Sequence, residues 1–158
     1  MIYNLELHKR HSIRIPEYDY STPNSYFITI CTNKRQCILS KICDNSNNYL
    51  LDFGKIIDRH IKKCKEKYED ISIDNYVIMP NHIHLIITIK QGQPWATAPT
   101  IATIISTLKT MVTKEIGYSI WQRNYYEHII RNEKEYLEIF EYIENNPINW
   151  KKDINYIK

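Results

Sequence analysis

The stretch from Val77 to Lys90 restricts this chain more than any other. Pro80-Asn81 is a tight-turn signal, and His82-Ile83-His84-Leu85-Ile86-Ile87-Thr88-Ile89 follows it. Successive side chains of a strand point to opposite faces, so Ile83, Leu85, Ile87 and Ile89 share one face and would fill a core. His82 and His84 share the other face, about 7 Å apart along the chain. Ile71 to Met79 reads as the strand before the turn, so the two segments fold back as a hairpin. Two imidazoles side by side suit a shared divalent metal. A pair of packed or surface histidines fits the same pattern, and two histidines alone do not complete a metal site.

The remaining elements follow from periodicity and punctuation. Ser25 to Thr32 is aromatic and β-branched and reads as a first strand, ending in a turn that carries Lys34 and Arg35. Residues 44–48 have loop composition. Phe53, Ile56, Ile57, His60, Ile61, Cys64 and Tyr68 recur at helical spacing and predict a helix over 49–68, with His60 as a packed member of its apolar stripe. Gln91 to Pro99 is a loop. Thr100 is an N-cap and Gly117 a stop signal for a second helix, with Ile101, Ile104, Ile105, Leu108, Met111, Val112 and Ile116 on its apolar face and Lys109 on the other. Residues 118–131 read as irregular or briefly extended. Asn132, with Glu135 three residues on, opens a third helix that Pro147 ends.

A hairpin of strands with helices between other strands predicts one α+β domain over residues 1–158, a partly antiparallel sheet with helices packed on one face. A length of 158 residues is enough for one core. Residues 1–23 carry His8, Lys9, Arg10, His11 and Arg14 and read as a basic arm or a loose solvated leader. A net charge of +3 permits a polyanionic partner without requiring one. Cys31, Cys37, Cys43 and Cys64 form no C-x-x-C pair, and no apolar run is long enough for a bilayer. The expectation is a cytoplasmic protein with reduced thiols.

On the third helix, Tyr136, Ile139, Phe140 and Ile143 form the core-facing stripe, which leaves Tyr142 about 120° away on the flank. Asn146 lies one turn further along the same line. One of 13 tyrosines on a helix flank is ordinarily a packing residue, and Asn146 is also the residue before a helix-ending proline. From Trp121 to Arg131 aromatics alternate with cations, a composition that suits stacked bases and phosphates or a plain aromatic loop.

Three motifs in order change the weight of these readings: Tyr-Val-Ile-Met-Pro-Asn-His-Ile-His-Leu at 76–85, Trp-Gln-x-x-Tyr-Tyr-Glu-His-x-Ile-Arg at 121–131, and Tyr-Ile-x-x-Asn-Pro at 142–147. The set resembles the REP-associated tyrosine transposases of the HUH single-tyrosine superfamily. The resemblance implies a ferredoxin-like sandwich, and cleavage of single-stranded DNA beside a hairpin without ATP. It implies Tyr142 as nucleophile, His82 and His84 as metal ligands, and Asn146 in the place of the third ligand. The expected cofactor is a divalent ion, Mg or Mn. Arg35, Lys109, Arg123, Tyr125, His128 and Arg131 are the expected DNA contacts, and Glu127 belongs to the same motif as His128. Two other readings stand beside this one: a hairpin-DNA-binding protein without chemistry, and a zinc hydrolase of another substrate. Monomer and homodimer are both compatible.

Overall fold

The computed structural model describes residues 25–44, 46–90 and 99–157; the basic arm of residues 1–23 and most of the loop expected over 91–99 lie outside them. The strands are β1 (Ser25–Cys31), β2 (Ser40–Ile42), β3 (Asn48–Leu50), β4 (Ile71–Ile78), β5 (His82–Ile89) and β6 (Tyr126–Ile130). The helices are α1 (Asp52–Lys67), α2 (Ile101–Ile116) and α3 (Glu133–Asn145). Four strands form the main sheet in the order β4-β5-β1-β6. Every neighbouring pair is antiparallel. With α1 crossing from β1 to β4 and α2 from β5 to β6, this is the ferredoxin-like arrangement. β2 and β3 make a separate small hairpin.

The apolar alternation along β5 decides the layering. Ile83, Leu85, Ile87 and Ile89 join Tyr26, Ile28 and Ile30 of β1 in a core closed by Ile57 and Ile61 of α1 and by Ile104, Ile105, Leu108 and Val112 of α2. β4 keeps its apolar residues on that face despite a change of parity. Asp74 is an extra residue between the pairs Ile73–Ile87 and Asn75–Ile86, so Ile71, Ile73, Tyr76 and Ile78 all serve the same core. The helices are not all on one face, as the sequence pattern suggests they would be. α3 packs on the opposite face, where Ile139 and Ile143 meet Phe27 and Ile86. Helical periodicity says which stripe of α3 is apolar, but not which side of a two-faced sheet it covers.

Local signals hold at the helix ends. Thr100 caps α2 by accepting the Thr103 amide at 3.2 Å, and Gly117 closes it in the left-handed region at φ 95°. Asn132 caps α3 by accepting the Glu135 amide at 2.9 Å. Gly54, inside α1, answers a different need: a Cβ there would lie 2.1 Å from the Leu39 carbonyl oxygen. α1 therefore starts against the loop that leads into β2. The segment expected to be irregular or briefly extended supplies the five-residue β6, and Trp121 bridges Thr32 just before it.

Candidate active site

The site lies on the α3 face, at the end of the sheet where β1 finishes and β5 begins. His82 pairs with Cys31, His84 with Thr29, and Thr29 in turn with Tyr126 of β6. Both histidines are fully buried. The outer nitrogen of each ring is held. His82 Nδ1 lies 2.8 Å from Asn81 Oδ1, and His84 Nδ1 lies 2.7 Å from Thr29 Oγ1. The Asn81 amide nitrogen donates to the carbonyls of Asn155 and Arg35, at 2.7 and 3.3 Å. Its oxygen is thereby left to accept from His82 Nδ1–H, which makes His82 Nε2 a bare lone pair. That lone pair points at His84 Nε2, 3.1 Å away.

Burial pushes the His82 pKa down to about 4; the nearby Asp153 carboxylate and Asn146 amide oppose the shift, and the Arg35 charge adds to it. Burial, then the charge of His82, holds His84 well below the ordinary imidazole value. Both rings are neutral at pH 7, the form that ligates a metal.

A third group arrives from the chain's last described turn. After Pro147 the backbone doubles back through a 3₁₀ turn at Trp150–Lys152, with the Trp150 ring centre 6.0 Å from that of His82. Asp153 follows, its side chain 1% exposed, with Oδ2 3.8 Å from His82 Nε2. One ligand atom from each of His82, His84 and Asp153 fits within a 4.8 Å span. Asp153 Oδ1 accepts the Asn155 amide at 2.7 Å, and Oδ2 accepts Asn146 Nδ2 at 3.1 Å. Asn146 is itself buried, and no donor among the described residues reaches its Oδ1 with hydrogen-bond geometry. Two imidazole nitrogens, a carboxylate and an orphaned carboxamide oxygen form a donor set suited to a hard or borderline divalent cation. The outer nitrogens held by Asn81 and Thr29 are the orienting contacts such a site needs.

Tyr142 stands beside this cluster. Its ring packs edge-on to His84 at 5.4 Å and to Phe27 at 6.0 Å, and it is half-buried on the flank of α3. Burial first, and the Asp153 charge second, push its phenol above the ordinary value, with the Asn146 amide opposing. Asp153 was not anticipated from the sequence. The available signal was slight: it is the only carboxylate side chain after Glu144.

The expected DNA contacts are placed unevenly. Arg35 lies on the rim of the cluster, donating to the Ile154 carbonyl at 3.1 Å. Lys109 turns its ammonium to the carbonyls of Gln122 and Arg123, at 2.9 and 3.2 Å, and lies 5.7 Å from the Tyr125 ring centre. Tyr125 packs against the α1/α2 core, and Arg123 is exposed. His128 is on the site face but meets Glu135 at 2.6 Å, and Glu135 also accepts the Arg131 amide at 2.7 Å. These contacts tie β6 to the first turn of α3. Arg131 is exposed. His60 is buried on α1 against Glu115 at 2.7 Å, on the other face of the sheet from the histidine pair.

The chain thus has a ferredoxin-like sheet, with paired histidines on a central strand and the helix that carries Tyr142 laid over them. No protein-family model matches the chain. An uncharacterized protein of Haemophilus influenzae is 40% identical over 98% of this chain and 97% of its own length, which puts the two in one family. The REP-associated tyrosine transposase of Escherichia coli is 31% identical, over 70% of this chain and 66% of its own. A solved structure of a REP-associated tyrosine transposase bound to a REP hairpin superimposes with a TM-score of 0.64 at 26% identity, covering 86% of this chain and 74% of that one. The chain is a homologue of the REP-associated tyrosine transposases. No helix among the described residues is long and apolar enough to cross a membrane.

Proposed function

We propose that the chain is a metal-dependent DNA strand transferase of the single-tyrosine HUH type, acting on single-stranded DNA beside a hairpin. The observation that carries this reading is the meeting of Tyr142 with His84, His82 and Asp153 in one cluster. Hairpin DNA as partner is supported by the relative that was solved bound to a REP hairpin. His82, His84 and Asp153 would hold a divalent ion such as Mg or Mn, with Asn146 Oδ1 beside them as a fourth donor. The ion would polarise the scissile phosphate and offset charge on its oxygens.

In this reading the Tyr142 oxygen attacks phosphorus, an Oη–P bond forms and the P–O3′ bond breaks. The products are a 5′-phosphotyrosine and a 3′-OH, which takes up a proton as the phenol loses one. The reverse attack by a 3′-OH rejoins strands without ATP. Phe27 and His84 fix the phenol's position, and Thr29 and Asn81 fix the two imidazoles. Arg123, Tyr125 and Arg131 remain the candidate contacts to flanking DNA.

Tyr142→Phe tests the assignment. The variant keeps the ring contacts, so it should bind a hairpin oligonucleotide as the parent does and form no covalent adduct on a denaturing gel. An adduct of undiminished yield would sink the reading. One observation favours the alternative of a hairpin-binding protein without chemistry: burial and Asp153 both hold the phenol protonated. Absence of any adduct from the parent protein in Mn²⁺ or Mg²⁺, with binding intact, is the outcome that alternative requires.

A further inference from the structure

The loop after β1 has an unusual backbone. Lys34 and Arg35 are consecutive non-glycine residues in the left-handed region, at φ 52° and 53°. Neither is Asn or Asp, the residue types that tolerate this region best. Such strain persists only where the surroundings impose it, and here they do. The Arg35 amide donates to the Thr32 carbonyl at 3.0 Å, and Thr32 Oγ1 donates to the Gln36 carbonyl at 2.9 Å. The Arg35 carbonyl accepts from Asn81 Nδ2 at 3.3 Å, and Asn81 is the residue whose oxygen holds His82 Nδ1. The strained turn is thus one side chain removed from a proposed metal ligand.

The side chain that the turn presents reaches the same place. Arg35 Nη1 donates to the carbonyl of Ile154, the residue directly after Asp153. None of the ion pairs among the described residues involves Arg35. Among the described residues the guanidinium has a neutral carbonyl and no carboxylate as partner, so its positive charge stands uncompensated beside the chain segment that carries Asp153. A phosphodiester is the anion whose tetrahedral oxygens can be shared between a metal and a guanidinium fork.

We infer that Arg35 binds a non-bridging oxygen of the phosphate that reacts with Tyr142, exchanging the Ile154 carbonyl for it, and that the strained turn exists to hold this cation there. The inference rests on the strand-transfer reading and gives Arg35 a part in it distinct from general backbone contact. In this turn the Arg35 carbonyl meets Asn81 Nδ2 while the Arg35 side chain reaches the Ile154 carbonyl, next to Asp153 in the chain. A glycine at 35 would relieve the backbone and remove the guanidinium.

The test uses the full chain with a hairpin oligonucleotide carrying a single-stranded flank, in Mn²⁺, and the variants Arg35→Gly and Arg35→Lys. Arg35→Gly should keep or raise the melting temperature, because glycine adopts positive φ without strain. Its rate of covalent adduct formation should fall about 100-fold or more, the usual effect of losing one donor to a reacting oxyanion. Arg35→Lys should restore part of that rate. Adduct formation by Arg35→Gly within about threefold of the parent overturns the inference. So does a loss that Arg35→Lys does not relieve and that tracks a lowered melting temperature, since the residue would then be structural. If the parent itself forms no adduct, the strand-transfer reading fails, and Arg35 is judged by the salt dependence of binding to the single-stranded flank. A slope reduced by about 0.7 in Arg35→Gly supports a phosphate contact, and an unchanged slope removes it.

Discussion

Asp153→Asn separates a metal ligand from a structural carboxylate. The asparagine oxygen can still accept the Asn155 amide that Asp153 Oδ1 accepts at 2.7 Å. Its new amide would face Asn146 Nδ2, which now donates to Asp153 at 3.1 Å. Asn146 can answer by turning over its carboxamide, because no donor among the described residues holds its Oδ1. The hydrogen bonds are then conserved in number, and the metal-free variant should unfold within about 1 kcal/mol of the parent. The effect on metal binding is much larger. Orienting contacts around a metal are typically worth about 10–100-fold in affinity, and a directly ligating carboxylate at least as much.

At a Mn²⁺ concentration about 100 times the parent's Kd, binding should stabilise the parent by about 2.7 kcal/mol. A variant with about 100-fold weaker affinity gains only about 0.4 kcal/mol under the same conditions. For a chain of this length, about 2–4 °C per kcal/mol translates the contrast into a thermal shift of about 5–11 °C for the parent against about 1–2 °C for the variant. Differential scanning calorimetry with and without Mn²⁺ measures both. Equal metal-induced shifts in the two proteins would refute the place of Asp153 in the site. A metal-free variant several kcal/mol less stable would show that the carboxylate is chiefly structural.

Two further predictions concern the frame that carries the site. Burial alone would raise the Glu135 carboxyl, but the Arg131 amide and the His128 ring outweigh it and hold the pKa below the usual carboxylate value. A depressed folded pKa contributes stability above the unfolded value of about 4.3 and loses it as pH falls through the lower folded value. Glu135→Gln should therefore be destabilised by about 1–2 kcal/mol at pH 7. Acid titration followed by circular dichroism should show the difference closing below about pH 4; a constant offset across that range would count against the mechanism. Gly54→Ala should cost about 3 kcal/mol or more in urea unfolding, since its Cβ would meet the Leu39 carbonyl oxygen at 2.1 Å. Alanine's better helix propensity, worth about 1 kcal/mol, acts the other way, and a stabilised variant would contradict the contact.

Much of the frame was legible because it depends on neighbours in sequence. The period of two along β5 puts His82 and His84 on one face whatever the strand packs against. Thr100, Gly117 and Asn132 act on backbone groups within about one helical turn of themselves. The flank position of Tyr142 follows from helical geometry alone. β2 and β3 were not legible, because strands of three residues carry no periodic pattern and are held by outside contacts such as Asn48 Nδ2 to the Ile78 carbonyl at 2.8 Å.

What the sequence determined by itself is the histidine face, the caps and the tyrosine's angle on its helix, all set by the fixed geometry of strand and helix. The tertiary structure decided which face of the sheet α3 covers, and so whether Tyr142 meets the histidines at all. It also decided that Asp153, separated from His84 by two helices and a strand, returns to the pair and that Arg35 lies beside it. Those placements depend on long-range packing and on the carbonyl of Asn155 caught by Asn81, contacts that no local pattern encodes.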